Sequence, residues 1–241
     1  MKSERMITIL SRFVNFGVSF TNMSIQNRFT AQDLDRIKSA VRQAEDKISG
    51  EIVPVFVEKS GAYSVAIYRG FLIFTALAFL VIVLLDRYSY YFQGWTVYDP
   101  IMIFLWVVTA GLFGALLTQY LVPLKRLLVS QAHLDSATRQ RAENAFLEEE
   151  VFATRHRTGI MIFVSFFERE VIVMADRGIS KVVEQKEWDK MVRGITENIR
   201  KGKVVEGIEA AILRCGEILL EKGFFKTSDD VNELRDDLRI E

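Results

Sequence analysis

Apolar residues recur at Leu34, Ile37, Val41, Ala44 and Ile48, at spacings of three and four that place them on one face of a helix. Thr30-Ala-Gln-Asp33 in front of them is a helix-starting box: an acceptor at the cap and an acid three residues on. Gly50 ends the pattern, and Glu51-Ile-Val-Pro-Val-Phe-Val57 predicts a strand in which Pro54 favours an edge or a bulge. The pattern then changes character. Ile101 to Leu124 is 24 residues without a charge, opened by Asp99-Pro100 and closed by Lys125-Arg126. As a helix it is about 36 Å long, enough for a hydrocarbon core of about 30 Å. Gly70 to Leu85 is a second such run, and extending it back to Val65 lets the Arg69 head reach the headgroups. Beyond Lys125 the water-compatible pattern returns. Lys125 to Thr154 reads as a helix continuing from the second apolar run, with Pro123 kinking the junction. Gly159 to Phe167 and Glu170 to Ala175 read as strands joined at Glu168-Arg169. Two amphipathic helices follow, carrying Trp188, Met191, Val192, Ile195 and Ile199, then Val205, Ile208, Ala211, Ile212, Cys215, Ile218 and Leu219.

Neither the early helix and strand nor the later elements can bury their apolar faces alone, so they are expected to form one α+β domain. Two transmembrane helices interrupt it. Residues 1–28 read as a leader, 29–63 and 125–225 as the two parts of the domain, 64–124 as the hairpin (65–85 and 101–124), and 226–241 as an acidic tail. The leader has Lys2 and Arg5, and Arg12 splits its apolar stretch. It is expected to be weakly ordered or amphipathic, with Met23 an alternative start. The tail holds six acids and three bases and is expected to be a loosely held end.

Charge sharpens this picture. Of 62 charged residues in 241, only Arg69, Asp86, Arg87 and Asp99 lie between Ser64 and Leu124, which excludes a purely soluble protein. Zero net charge gives no pull toward nucleic acid, and a single cysteine excludes an intramolecular disulfide. Tyr88, Tyr90, Tyr91, Trp95 and Tyr98 between the apolar runs match an interfacial aromatic belt. Seven bases flank the hairpin outside that loop, against Arg87 within it, so the flanks are expected in the cytoplasm and loop 86–100 outside. A cleaved export signal would invert that orientation. Ala110, Gly111, Gly114 and Ala115, with Thr118, form a small-residue stripe suited to close helix packing, against the other helix or a second copy.

The second half of the chain also carries a recognisable order of motifs. Thr158-Gly-Ile-Met-Ile-Phe-Val-Ser, Glu168-Arg-Glu-Val-Ile-Val, Asp176-Arg-Gly-Ile, Gly202-Lys-Val-Val-Glu-Gly-Ile and Gly216-Glu-Ile-Leu follow one another. With Phe29 to Leu34 and Ser49 to Val57, they resemble the TPM domain family (thylakoid-lumen-phosphatase-like), and in particular its bacterial subset with a membrane hairpin. The resemblance implies an α/β/α sandwich with a small sheet. Among the family's members it implies phosphatases, calcium binders, assembly factors of membrane complexes and an auxiliary receptor subunit. It also suggests a LemA-like membrane partner. Two positions depart from the pattern: Gln26-Asn27-Arg28 stand where many members have an acid, and Ala175-Asp176-Arg177-Gly178 where many have Gly-aromatic-Gly.

Candidate chemistry is sparse. His133 and His156 would lie about 35 Å apart on one straight helix, too far for a shared role. Cys215 sits on an apolar face and reads as structural. Glu168, Glu170 and Asp176 are candidate oxygen ligands for a hard cation such as Ca²⁺, and Arg169 and Arg177 candidate phosphate clamps. A solvated turn has the same composition. No phosphate loop, nucleophile elbow or metalloprotease pair is present. The expected function is a non-enzymatic interaction or assembly module in the bacterial inner membrane, with the bilayer, a membrane protein or its own copies as partners. The alternative is a Ca- or Mg-assisted phosphatase acting on phosphomonoesters.

Overall fold

The computed structural model describes residues 7–12, 29–88, 99–226 and 232–240. The box at Thr30 starts helix α1 (Ala31–Glu45) as expected: the Asp33 N–H donates to Thr30 Oγ1 at 3.2 Å, and the Thr30 N–H donates to Asp33 Oδ2 at 2.9 Å. Strand β2 (Glu51–Val57) follows, buried along its whole length. It pairs in parallel with β3 (Gly159–Ser165), which turns into antiparallel β4 (Glu170–Ala175). The turn is longer than the sequence suggests. Phe166 and Phe167 leave the β4 ladder, and their N–H groups donate to the carbonyls of Val57 and Glu58 instead.

Two further strands, β1 (Ile7–Arg12) and β5 (Arg239–Ile240), complete a mixed sheet of order β1-β4-β3-β2-β5. Strand β1 (Ile7–Arg12) pairs antiparallel with β4 along its whole length, so this part of the expected leader is an edge strand. Its pattern is weak because Thr8, Ser11 and Arg12 dilute the apolar alternation. The remaining leader, with Met23 and Gln26 to Arg28, lies outside the described residues, as do Tyr90, Tyr91, Trp95 and Tyr98. Strand β5 (Arg239–Ile240) pairs in parallel with β2 at Val55 and Phe56. The acidic tail is therefore docked on the sheet rather than loose. Pro54 sits just before that short ladder, near the sheet edge where a missing N–H costs least.

Alternate side chains of the strands serve two cores. Ile52, Phe56, Ile160, Ile162, Val171 and Val173 face α1, α7 (Gln185–Arg200) and α8 (Val204–Glu221). Val53, Val55, Met161, Phe163, Ile172 and Met174 face Ala142, Ala145 and Phe146 of α5 (Gln131–Glu148). Strands covered on both faces read as unbroken apolar runs, which is why these were legible as strands but not as to which face is which.

The chain divides into two compact units, Ala62–Leu134 and the flanking pieces on either side. The first is built on α2 (Ser64–Tyr88) and α3 (Pro100–Tyr120), which form a hairpin of long apolar helices. The expected continuation of α3 into one helix through Thr154 does not occur. Leu121 is extended, and Pro123, lacking an N–H, enters in the first turn of α4 (Val122–Leu128). Val129 is extended again before α5, and Glu150 is left-handed before a short 3₁₀ turn, Val151–Ala153. The helix that would have carried both histidines is thus in pieces. His133 packs edge-on against Tyr63, with ring centroids 5.8 Å apart, and His156 lies in the turn before β3.

Candidate functional site

The structure separates the five residues expected to form a cation and phosphate site. Glu168 and Glu170 are fully buried at the β3–β4 turn, with half-buried Arg169 between them at a left-handed φ of 59°. Asp176 and Arg177 lie past the opposite end of β4. Six residues of strand put Glu170 and Asp176 about 20 Å apart, whereas a hard cation reaches its ligands at about 2.5 Å. One ion cannot engage Glu168, Glu170 and Asp176 together. Among the described residues, no three or more His, Cys, Asp or Glu side chains are placed to hold a metal.

Each half has a structural occupation. Glu168 accepts from the Ser60 N–H at 2.8 Å and from the Ser165 hydroxyl, and the Ser60 hydroxyl donates to Ser165 Oγ at 2.9 Å. The buried carboxylate ties the loop after β2 to the β3–β4 turn. Asp176 caps α6 (Arg177–Ser180) by accepting from the Arg177 N–H at 2.7 Å, with Arg157 Nη1 at 3.6 Å. Arg157 itself donates to the Phe152 carbonyl at 2.9 Å and stacks over that ring, within the turn before β3.

A different carboxylate cluster, not recognised in the sequence, lies where α1 ends and β2 begins. Arg42, Glu45, Glu51, Lys226, Asn232 and Asp236 line a cleft of about 300 Å³. Glu45 is buried and accepts from the Ile52 N–H at 2.8 Å. Burial pushes its carboxyl up to about 8, Glu51 and Asp236 push the same way, and the Ile52 bond and Lys226 oppose them without prevailing. Asp236 goes the other way. Burial works against its ionisation, but Arg42 at 2.7 Å and Asn232 at 2.5 Å outweigh it and lower the pKa. Lys226 donates to the Glu45 carbonyl at 3.1 Å. The only hint in the sequence is the scatter of Leu234, Leu238 and Ile240 through an acidic tail.

Cys215 is buried in α8, its thiol 3.2 Å from Met191 Sδ, and burial pushes it up to about 12. Iodoacetamide at pH 8 is expected to leave it unmodified in the native chain and to alkylate it after denaturation; native labelling at the unfolded rate would show an accessible thiol.

The small-residue stripe is the seam of the α2–α3 hairpin. Gly111, Gly114 and Thr118 are the buried residues of α3, while Ala110 and Ala115 flank them half-buried. A Cβ on Gly114 would stand 2.5 Å from Phe74 Cβ, and one on Gly111 would stand 2.8 Å from the Phe71 ring. Small residues here let two backbones approach. The outward faces carry large apolar side chains: Leu72, Leu77 and Phe79 on α2, and Phe104, Trp106 and Phe113 on α3, all more than half exposed. By length and composition both helices are able to cross a membrane.

Comparison with known proteins bears on the unit outside the hairpin. Residues 126–218, from α4 into α8, match the TPM domain family. This stretch is a TPM domain. Strand β2 and helix α1 lie outside the matched stretch, yet they share its sheet and its core. The chain is also similar to the BA42 protein of the psychrophilic bacterium Bizionia argentinensis, known from an NMR structure. The two are 17% identical, with a TM-score of 0.56 over 90% of this chain and 99% of that one. At that identity the likeness is one of fold. No curated protein matches the chain.

Proposed function

We propose that the TPM domain is a non-enzymatic interaction or assembly module, tied to a bacterial cytoplasmic membrane by the α2–α3 hairpin. Its soluble unit faces the cytoplasm and loop 86–100 lies outside. The observation that carries the anchoring is the inverted burial of the hairpin: small residues inside, large apolar ones outside. A pair of helices in water would place them the other way round, whereas a patch this large suits hydrocarbon. Charge supports the orientation, since Arg69, Lys125 and Arg126 lie at one end of the hairpin unit, and Arg87 is the one base in the sequence of loop 86–100. The absence of convergence among Glu168, Glu170 and Asp176 supports a module over a metal-assisted phosphatase, because each half of that set makes bonds that hold turns in place.

Flotation tests the anchoring. The chain expressed in a bacterium should remain with membranes through an alkaline carbonate wash and float with them in a density gradient. Release into the supernatant by carbonate would remove the proposal's foundation.

A further inference from the structure

We propose that α4 lies in the membrane–water interface and, with Arg69, forms a site for the headgroup of an anionic phospholipid. This rests on the anchoring by α2 and α3 and says which lipid their cytoplasmic end selects. Two contacts fix how α4 lies. Gly70 and Thr118 stand against each other across the seam, since a Cβ on Gly70 would be 3.0 Å from Thr118 Cβ. A straight continuation of α3 would carry Leu128 about 15 Å past that level, beyond the reach of an arginine at position 69. Instead Arg69 Nη1 donates to the Leu128 carbonyl at 2.7 Å. The breaks at Leu121 and Val129 allow this, and α4 packs against both α2 and α3. It therefore turns across the end of the hairpin rather than prolonging it.

Charge and exposure then choose the ligand. The two acids of the unit Ala62–Leu134, Asp86 and Asp99, sit at the opposite end from Arg69, Lys125 and Arg126, so within the unit this end carries only positive formal charge. Residues 70–85 of α2 hold no charge and span about 24 Å, less than a hydrocarbon core of about 30 Å. That mismatch brings the exposed Arg69 guanidinium to the level where acyl chains give way to phosphates. Exposed Tyr68 and Tyr120 mark the same level, as interfacial tyrosines do. On α4, Leu127 is 79% exposed next to Lys125 and Arg126, the mixture of an apolar side chain and bases that suits a helix lying on a membrane. A guanidinium donates to two phosphate oxygens at once, and basic pockets beside spanning helices hold anionic headgroups. A zwitterionic headgroup brings its own ammonium into the same cluster of bases and is disfavoured.

The test uses the full chain with Cys215→Ser and Leu127→Cys, an environment-sensitive fluorophore on the new thiol, in vesicles of phosphatidylcholine with a minority of phosphatidylglycerol. Bromine is placed on the acyl chains of one lipid or the other. Per molecule, brominated phosphatidylglycerol is expected to quench about fivefold more than brominated phosphatidylcholine, the attraction of one basic side chain at the surface. Molar salt should bring the ratio toward one, and so should Arg69→Gln combined with Lys125→Gln and Arg126→Gln. Arg69→Lys, which keeps the charge, should retain most of the preference. Equal quenching by the two lipids in the chain with all three bases would overturn the site, and so would a preference that the triple substitution leaves intact. Quenching by neither lipid, in a chain that stays with the vesicles through a carbonate wash, would overturn the interfacial placement of α4 while leaving the anchoring in place. Release of that chain by carbonate would overturn the anchoring and the site with it.

Discussion

Replacing Glu45 by glutamine is expected to raise stability at high pH by about 3–5 kcal/mol and to leave it nearly unchanged near pH 4.5. The carboxyl has its ordinary value of 4.5 when unfolded and about 8 in the folded chain. A folded pKa raised above the unfolded one means that the folded state holds the proton longer. Its contribution is fully present below pH 4.5, shrinks as pH rises, and is lost once pH passes about 8. The wild-type chain should therefore lose stability across that window, and Glu45→Gln should flatten the loss. Glutamine keeps the acceptor for the Ile52 N–H and removes only the charge. Chemical denaturation in mild detergent at pH 4.5, 6, 7.5 and 9 gives the comparison. Parallel curves for the two proteins would mean that Glu45 is as easily ionised folded as unfolded.

Leu77→Arg is expected to cost about 2.5–3.5 kcal/mol of insertion, roughly a hundredfold in the inserted fraction. Leu77 lies next to the midpoint of α2 and is 53% exposed. If lipid surrounds that face, a guanidinium there must be buried in hydrocarbon or drag water after it. Leu77→Ala keeps the position apolar and serves as the control. Quantitative flotation of the two variants should find the alanine chain with the membranes and a large part of the arginine chain outside them. Equal flotation would place the α2 face in water or against protein.

Local chemistry was legible in the sequence. The capping box at Thr30, the apolar runs of β2, β3 and β4, the helical faces of α7 and α8, and the long uncharged runs of the hairpin are each carried by residues close to one another in sequence. What could not be read depends on distant partners. The burial of Glu168 requires donors from Ser60, more than a hundred positions earlier. The docking of the tail requires Asp236 to meet Arg42, 194 residues away in sequence, so an acidic stretch that looks solvated is held by cations invisible from its own neighbourhood. Strand β1 carries little signal in the sequence for a related reason: its order comes from pairing with β4 and not from its own pattern. The expected metal set failed on geometry, because closeness in sequence across a strand is separation in space.

In the proposed topology both soluble parts lie on the cytoplasmic side of a membrane that the chain crosses twice between them. Cysteine labelling in intact bacteria tests it directly, in a Cys215→Ser background with one new cysteine at Ser89 in the loop or at exposed Lys186 at the start of α7. With a membrane-impermeant maleimide, the Ser89→Cys chain should label in intact cells and the Lys186→Cys chain only after permeabilisation. Labelling of Lys186→Cys in intact cells, with Ser89→Cys protected, would put the soluble unit on the outer side and overturn the proposed topology.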